Sequence, residues 1–298
     1  MPELPDVVVY LEALAPRVLG QPLDRFRRGN PFIVRTIAPA PEAFEGRRVE
    51  TLRRMGKRLV LGFEEDLYLV LHLMIAGRLR WRDRGAAIAG KAGLAAFDFP
   101  GGTLLLTEQG SRRQASIHLV RGAGGLAEFE RGGLEVLDST LPTFTERVTR
   151  ENHTLKRTLT DPTIFSGIGN AYSDEILHAA KLSPMKQTRQ LTEAEIARLH
   201  VATIQTLQDW IQRTREEVGD GFPEKVTAFR KGMAAHGRYG QPCPACGSPI
   251  QRIVYASNEC NYCATCQTEG RLLSDRALSR LLRQDWPRTL EEMEKRKR

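Results

Sequence analysis

The sequence predicts an α+β chain, with a β-sandwich first and a helical region after it. Three observations carry this reading. Short apolar runs separated by Gly, Pro and charged turns fill residues 49–108, helical periodicity takes over beyond about 145, and all five cysteines fall within 243–266. The expected order is an N-terminal β-sandwich with a leading helix (1–130), a helical domain (131–238), a cysteine ribbon (239–268) and a C-terminal helical extension (269–298).

The leading helix rests on Val7, Leu11, Leu14 and Val18, which recur at three- or four-residue steps and mark one buried face. Pro16 lacks the amide hydrogen that a helix interior uses, so a break or kink is expected there. The runs RLVLGFEE, LYLVLHLMIAGRLRW, AAFDFP and TLLLTEQG read as strands of an antiparallel sandwich or barrel over roughly 30–125. A glycine-rich stretch, 121–135, reads as a connection. Beyond it, HTLKRTLTD, NAYSDEILHAAKL and TEAEIARLHVATIQTLQDWIQRTREEVG are helical, the last opened by the capping-box pair Thr192 and Glu195. Residues 219–242 are glycine-rich, basic and weakly periodic, as a mobile loop would be. After the cysteines, a terminal helix is expected to stop near Pro287 ahead of a charged tail. No internal repeat is present.

A hydrophobic fraction of 41% and a charged fraction of 27% are those of a soluble globular chain. Nothing approaches the ~20 uncharged apolar residues of a membrane span, and the N-terminus has acids where a signal peptide carries bases. A cytoplasmic protein with reduced thiols is expected. The net charge of +8 favours a polyanionic partner, nucleic acid being the commonest, although charge alone leaves open a basic surface that only aids solubility.

The cysteines are more specific. Cys243-x2-Cys246 and Cys263-x2-Cys266 form two knuckles sixteen residues apart, the pattern of a zinc ribbon in which four thiolates hold one tetrahedral Zn2+. Cys260 also makes a knuckle with Cys263, but that choice shortens the spacing to thirteen, so Cys260 is read as the spare. Four thiolates leave no open coordination position, and the ion is expected to fold the module.

Taken in order, PELPD, MGKRLVL, HLMIAG, GSRRQA, FSGIGNAYSDEIL and CPAC…CATCQ resemble the formamidopyrimidine-DNA glycosylase / endonuclease VIII family (Fpg, MutM, Nei) of base-excision repair enzymes. The likeness runs from Pro2 to about Gln267. It implies a bifunctional DNA glycosylase and abasic-site lyase, a helix–two-turn–helix in the helical domain, and a monomer with damaged DNA in a basic cleft between the domains. It also implies roles for individual residues. Loss of Met1 would expose the secondary amine of Pro2, a nucleophile whose ordinary pKa lies near neutrality, and Glu3 beside it could move a proton to the opening sugar ring. Lys57 stands where the family has a strand-borne lysine on a phosphate. His72, Arg112, Arg113 and Asn170 match DNA-contacting positions, with Gly167 and Gly169 allowing a tight turn into a helix start that suits a phosphate. Lys156 is a basic candidate for a further phosphate contact, though an exposed basic residue needs no such role. Arg157 is a further basic candidate. From the residues alone, Pro2 and Glu3 could equally be a helix start, and Lys57 a solvated lysine.

Three departures accompany the likeness. The family's ribbon arginine, five residues before the third cysteine, is Asn258 here, which leaves a phosphate contact and the second (δ) elimination without their usual residue unless Arg252 substitutes. Ile75 takes the place of a wedge methionine, and Gln114 that of an intercalating phenylalanine. Residues 219–240 do not resemble the loop that caps 8-oxoguanine. The extension after Gln267 spaces Arg271, Arg276, Arg280 and Arg283 at roughly helical steps, either to lengthen a DNA footprint or simply as a solvated face. A catalytically altered damaged-DNA-binding protein on the same scaffold therefore stays open as the alternative.

Overall fold

The computed structural model describes residues 1–110, 112–255, 258–274 and 287–295. They form two compact units, residues 1–132 with 209–228, and residues 133–208 with 229–298.

In the first unit, helix α1 spans Leu4–Val18 and runs through Pro16 without a break. Pro16 lies in the last turn, where the one hydrogen bond it forgoes is cheap, and the Leu19 N–H still closes on Ala15 O at 3.1 Å. Val7, Tyr10, Leu14 and Val18 are fully buried. Tyr10 rather than Leu11 completes the stripe, and Leu11 packs at its edge.

Eight strands follow: β1 (Arg25–Arg28), β2 (Val49–Met55), β3 (Arg58–Phe63), β4 (Leu67–His72), β5 (Gly77–Arg82), β6 (Gly93–Phe99), β7 (Gly102–Glu108) and β8 (Ser116–Arg121). They build two antiparallel sheets, β2-β3-β4-β8 and β1-β6-β7-β5. The expected sandwich is thus present, and it begins earlier than residue 30. RFRR of β1 has one apolar residue and no readable alternation, yet Phe26 pairs with Phe97 of β6. Alternate residues of β3, β4 and β8 (Leu59, Leu61, Leu69, Leu71, Ile117, Leu119) face the same core as Phe97, Leu104 and Leu106 of the other sheet.

The glycine-rich connection contains a short helix, α2 (Gly122–Ala127). Its Leu126 covers Met55, Val60, Val70 and Val120 on the outer face of the first sheet. Burial on both faces explains why β3 reads as a continuous apolar run. β2 and β3 join through two residues, Gly56 and Lys57, and the positive φ of Gly56 (63°) suits that tight hairpin.

Residues 209–228, read from sequence as part of a separate helical domain, group with this unit. Arg215 makes two bonds to Glu12 of α1 at 2.8 and 2.6 Å. Arg82 pairs with Glu224, and Val226 enters the sandwich core.

The second unit carries α3 (Leu141–Thr149), α4 (Leu155–Thr160), α5 (Asn170–Ala179) and the start of the long helix α6 (Glu193–Val218). Then come the hairpin β9 (Ile250–Tyr255) and β10 (Asn258–Cys263), and the short helices α7 (Ala264–Thr268) and α8 (Leu290–Lys295). The capping box at the start of α6 is formed: Thr192 N–H donates to Glu195 at 2.9 Å, and Glu195 N–H to the Thr192 hydroxyl at 3.2 Å. Arg276, Arg280 and Arg283 lie outside the described residues. Arg271 is exposed. The charged tail after Pro287 holds α8, whose exposed face pairs Glu291 with Lys295 at 2.8 Å.

Candidate functional site

The candidate residues fall in two groups, one in each unit. In the first, Glu3 caps α1, and its backbone N–H donates to Asp6 at 2.8 Å. Pro2 and Glu3 are both buried, although a chain terminus is ordinarily solvated. The α-amino group at Met1 is held below its ordinary value near 8, chiefly by burial. Glu3 and Asp6 oppose that shift, while Arg78 and Lys57 add to it. The terminus therefore lies within the field of two carboxylates and two cations.

Lys57 sits at the tip of the β2–β3 turn, not within a strand as the resemblance implied. Its neighbour Arg58 pairs with His72 at the end of β4. Burial pushes His72 down to about 4, with help from Arg58, Lys57 and His118. Near neutral pH His72 is an uncharged imidazole, which can offer a phosphate one N–H but no charge.

The turn after His72 presents Ile75 at 64% exposure. Gly77 is required beneath it, since a Cβ there would lie 2.2 Å from Leu73 O. Arg78, a residue that sequence reading passed over, donates to the carbonyls of Ile75 at 3.1 Å and Gly77 at 2.7 Å. Arg112, Arg113 and Gln114 are exposed on the β7–β8 loop. Buried Glu108 anchors that loop by accepting the N–H groups of Gln114 and Ala115 at 3.0 and 3.1 Å.

The second group surrounds α5, where Gly167 has a positive φ (83°) and Gly169 is the N-cap. Asn170 is the first residue of the helix, and its side-chain amide donates to Glu259 O at 2.9 Å. Lys156 directs its ammonium inward, to Asn170 O and the Ser173 hydroxyl at 2.8 Å and to Asp174 at 2.5 Å. An ammonium has three donors, so Lys156 stands here as a half-buried strut of the helix start. Arg157, the next residue along α4, lines the same open groove as His153.

Asp174 is the hub of this region. Fully buried, it also accepts from His236 Nδ1 at 2.7 Å and from the Asn261 N–H of β10 at 3.1 Å. Glu175 beside it accepts the N–H groups of Ala234, Ala235 and His236 at 2.7 to 2.9 Å. The stretch expected to be a mobile loop has no helix or strand among its described residues, yet its second half is fastened to α5. Sequence reading missed Asp174 and Glu175. Asn170, Ser173 and Asp174 do lie on one helix face, and that spacing next to a basic α4 was the available signal.

The four cysteines expected as ligands, Cys243, Cys246, Cys263 and Cys266, bring their sulfurs within 4.8 Å of one another. Cys243 and Cys266 are 4.0 Å apart, and Cys246 and Cys263 are 3.4 Å apart. Bonds of ~2.3 Å to a tetrahedral ion put sulfurs about 3.8 Å apart, so the donor set fits zinc. His178 of α5 approaches Cys243 Sγ at 3.1 Å. Cys260 is buried elsewhere, beside Asp174, and burial pushes its thiol well above the ordinary range. On the hairpin, Arg252 pairs with Glu259 at 3.3 Å and lies 4.3 Å over the Tyr239 ring.

Comparison with known proteins gives concordant matches. The formamidopyrimidine-DNA glycosylase N-terminal domain matches residues 1–116, and the formamidopyrimidine-DNA glycosylase H2TH domain matches residues 134–220. A formamidopyrimidine-DNA glycosylase of Thermus thermophilus is 33% identical over 282 residues, covering 91% of this chain and 100% of that one. An uncharacterized formamidopyrimidine-DNA glycosylase-like protein of Mycobacterium tuberculosis is 43% identical over 129 residues, 43% of this chain and 80% of its own. Among solved structures, Lactococcus lactis Fpg in complex with DNA containing an abasic site superposes with a TM-score of 0.79 at 27% identity, over 89% of this chain and 99% of that one. Among the described residues, no helix is long and apolar enough to cross a membrane.

Proposed function

Because the chain belongs to the formamidopyrimidine-DNA glycosylase family, we propose that it is a base-excision repair enzyme that removes damaged bases and then nicks the abasic site, using Pro2 as its nucleophile. The observation that carries this reading is the start of α1, where Pro2 and Glu3 are both buried and where Lys57, Arg78 and Asp6 act on the same terminus. An α-amino group titrates at about 7.7–8.0, far below a lysine, so a freed Pro2 amine is partly unprotonated near neutral pH.

Once Met1 is removed, the Pro2 nitrogen attacks C1′ of the deoxyribose, and the C1′–N bond to the base breaks. Glu3 supplies the proton that opens the sugar ring. The resulting iminium withdraws electrons, so that loss of a C2′ proton expels the 3′ phosphate. Lys57 and His72 hold backbone phosphate at this end of the sheet, Lys57 with charge and His72 as a neutral donor. Asn170 and the first N–H groups of α5 take a second phosphate, and Lys156, through Asp174 and Asn170, keeps that helix start in place. Exposed Arg112 and Arg113 add contacts that fix register without reading sequence. Cys243, Cys246, Cys263 and Cys266 hold one zinc ion, which supplies folding energy to the ribbon and leaves the chemistry to the terminus. With Asn258 in the ribbon and Arg252 occupied by Tyr239 and Glu259, β-elimination is the expected end point.

Borohydride should trap a covalent adduct between abasic-site DNA and the mature chain through Pro2. Pro2→Gly, which keeps a primary amine, should retain part of the lyase activity and lose most glycosylase activity. Absence of any adduct, with Met1 shown to be removed, overturns the enzymatic reading. Salt-sensitive binding without cleavage would then support a damaged-DNA-binding protein.

A further inference from the structure

The loop 219–242 takes no part in the chemistry above, and it carries an aromatic residue in an unusual setting. Phe229 is 69% exposed. One side of its ring stacks on His236, with centroids 5.4 Å apart and planes 14° from parallel. His236 is 5% exposed and hydrogen-bonds through Nδ1 to fully buried Asp174 at 2.7 Å. The ring also lies on Gly237, where a Cβ would sit 2.6 Å from Phe229 Cδ1 and where φ is +71°. Only glycine satisfies both conditions.

The backbone under this stack is fastened at Ala234, Ala235 and His236 by Glu175. A lone exposed phenylalanine would need no explanation. This one is backed by a buried, hydrogen-bonded imidazole and keeps most of its surface in solvent. Lys231 is exposed nearby in sequence, and half-exposed Tyr239 carries the Arg252 guanidinium over its ring at 4.3 Å. Aromatic faces interleaved with cations are the arrangement that binds unpaired bases, because every base has a π-face.

We propose that the Phe229 ring, backed by His236 and Gly237, is a stacking platform for an unpaired nucleobase of the bound DNA. The proposal rests on the DNA-repair reading and adds to it a site on the loop whose sequence departs from the family's lesion-capping loop. The ring contributes affinity for everted or single-stranded bases without selecting their identity.

Binding of the full zinc-loaded chain to labelled oligonucleotides by fluorescence anisotropy tests this. The probes are a single-stranded 15-mer, a duplex with one bulged base, and an intact duplex. Phe229→Ala should weaken binding to the first two by roughly five- to 150-fold, the affinity that one base stack carries, and leave the intact duplex within about twofold. Phe229→Trp should bind as the wild type does, with added indole fluorescence quenched by the first two probes. Equal binding of Phe229→Ala and wild type to the bulged and single-stranded probes overturns the platform while leaving the repair reading intact. A wild-type chain that binds none of the probes overturns both. Should Phe229→Ala fail to fold, an unquenched Phe229→Trp overturns the proposal by itself.

Discussion

The two groups of candidate residues are built in opposite ways. Around the N-terminus, they occupy the ends of elements: the start of α1, the tip of the β2–β3 hairpin, the end of β4. The core beneath them is apolar and is shared by both sheets. Around α5 the polar residues are themselves the interior. Ser173, Asp174, Glu175 and His178 are all buried, and each is matched to a partner in another segment. The first arrangement separates chemistry from stability. The second makes one depend on the other, because a buried charge that loses its partner is left desolvated.

The largest effect should come from the ribbon. Cys263→Ser should lose the bound zinc and, with it, the fold of residues 243–268, measured by elemental analysis and thermal unfolding. Cys260→Ser should keep one zinc per chain. Retention of zinc in Cys263→Ser would change the ligand assignment. Next is Asp174→Ala, which strands the Lys156 ammonium, His236 and the Asn261 N–H. A loss of about 3–5 kcal/mol is expected by denaturant unfolding, and a loss below about 1 kcal/mol would mean that this region tolerates change as the terminus does.

His72 gives a smaller, pH-dependent effect. Its folded-state value near 4 lies below the unfolded value of ~6.5, so the unfolded chain takes up the proton first as pH falls. The corresponding stability is present above pH ~6.5 and is lost between there and about 4. At about 1.4 kcal/mol per unit it amounts to no more than ~3.5 kcal/mol. His72→Gln should flatten that part of the stability profile; His118, lowered in the same direction by burial, leaves a residual slope. Smallest of all is Pro2→Gly, which should abolish most base excision and move the unfolding midpoint by no more than ~1 kcal/mol. A drop as large as that of Asp174→Ala would erase the contrast between the two regions.

How much was legible in the sequence follows the same division. The ribbon is a local pattern: two knuckles at readable spacing, with ligands set by their own turns. The α1 stripe, the strands from Val49 onward and the capping box at Thr192 are likewise short-range signals, and the structure contains them. β1 was missed because RFRR borrows its partner from 71 residues away, the separation of Arg27 and Asp98. Pro16 misled because a rule for helix interiors was applied in a last turn. Asp174 could not be singled out at all: its partners stand 18, 62 and 87 residues away. Lys156 shows the same limit, since a lysine on a basic helix gives no sign in the sequence of the Asp174 carboxylate beside it.

The bonds from Glu175 to three consecutive amides have a consequence for time as well as position. Residues 234–236 belong to no helix or strand, yet their amide hydrogens can exchange with solvent only when the Glu175 carboxylate lets go. That requires opening at α5 itself. Protection at these three amides should therefore rise and fall with that of the helix. A segment with the sequence of a loose connection would keep the clock of the element it is tied to.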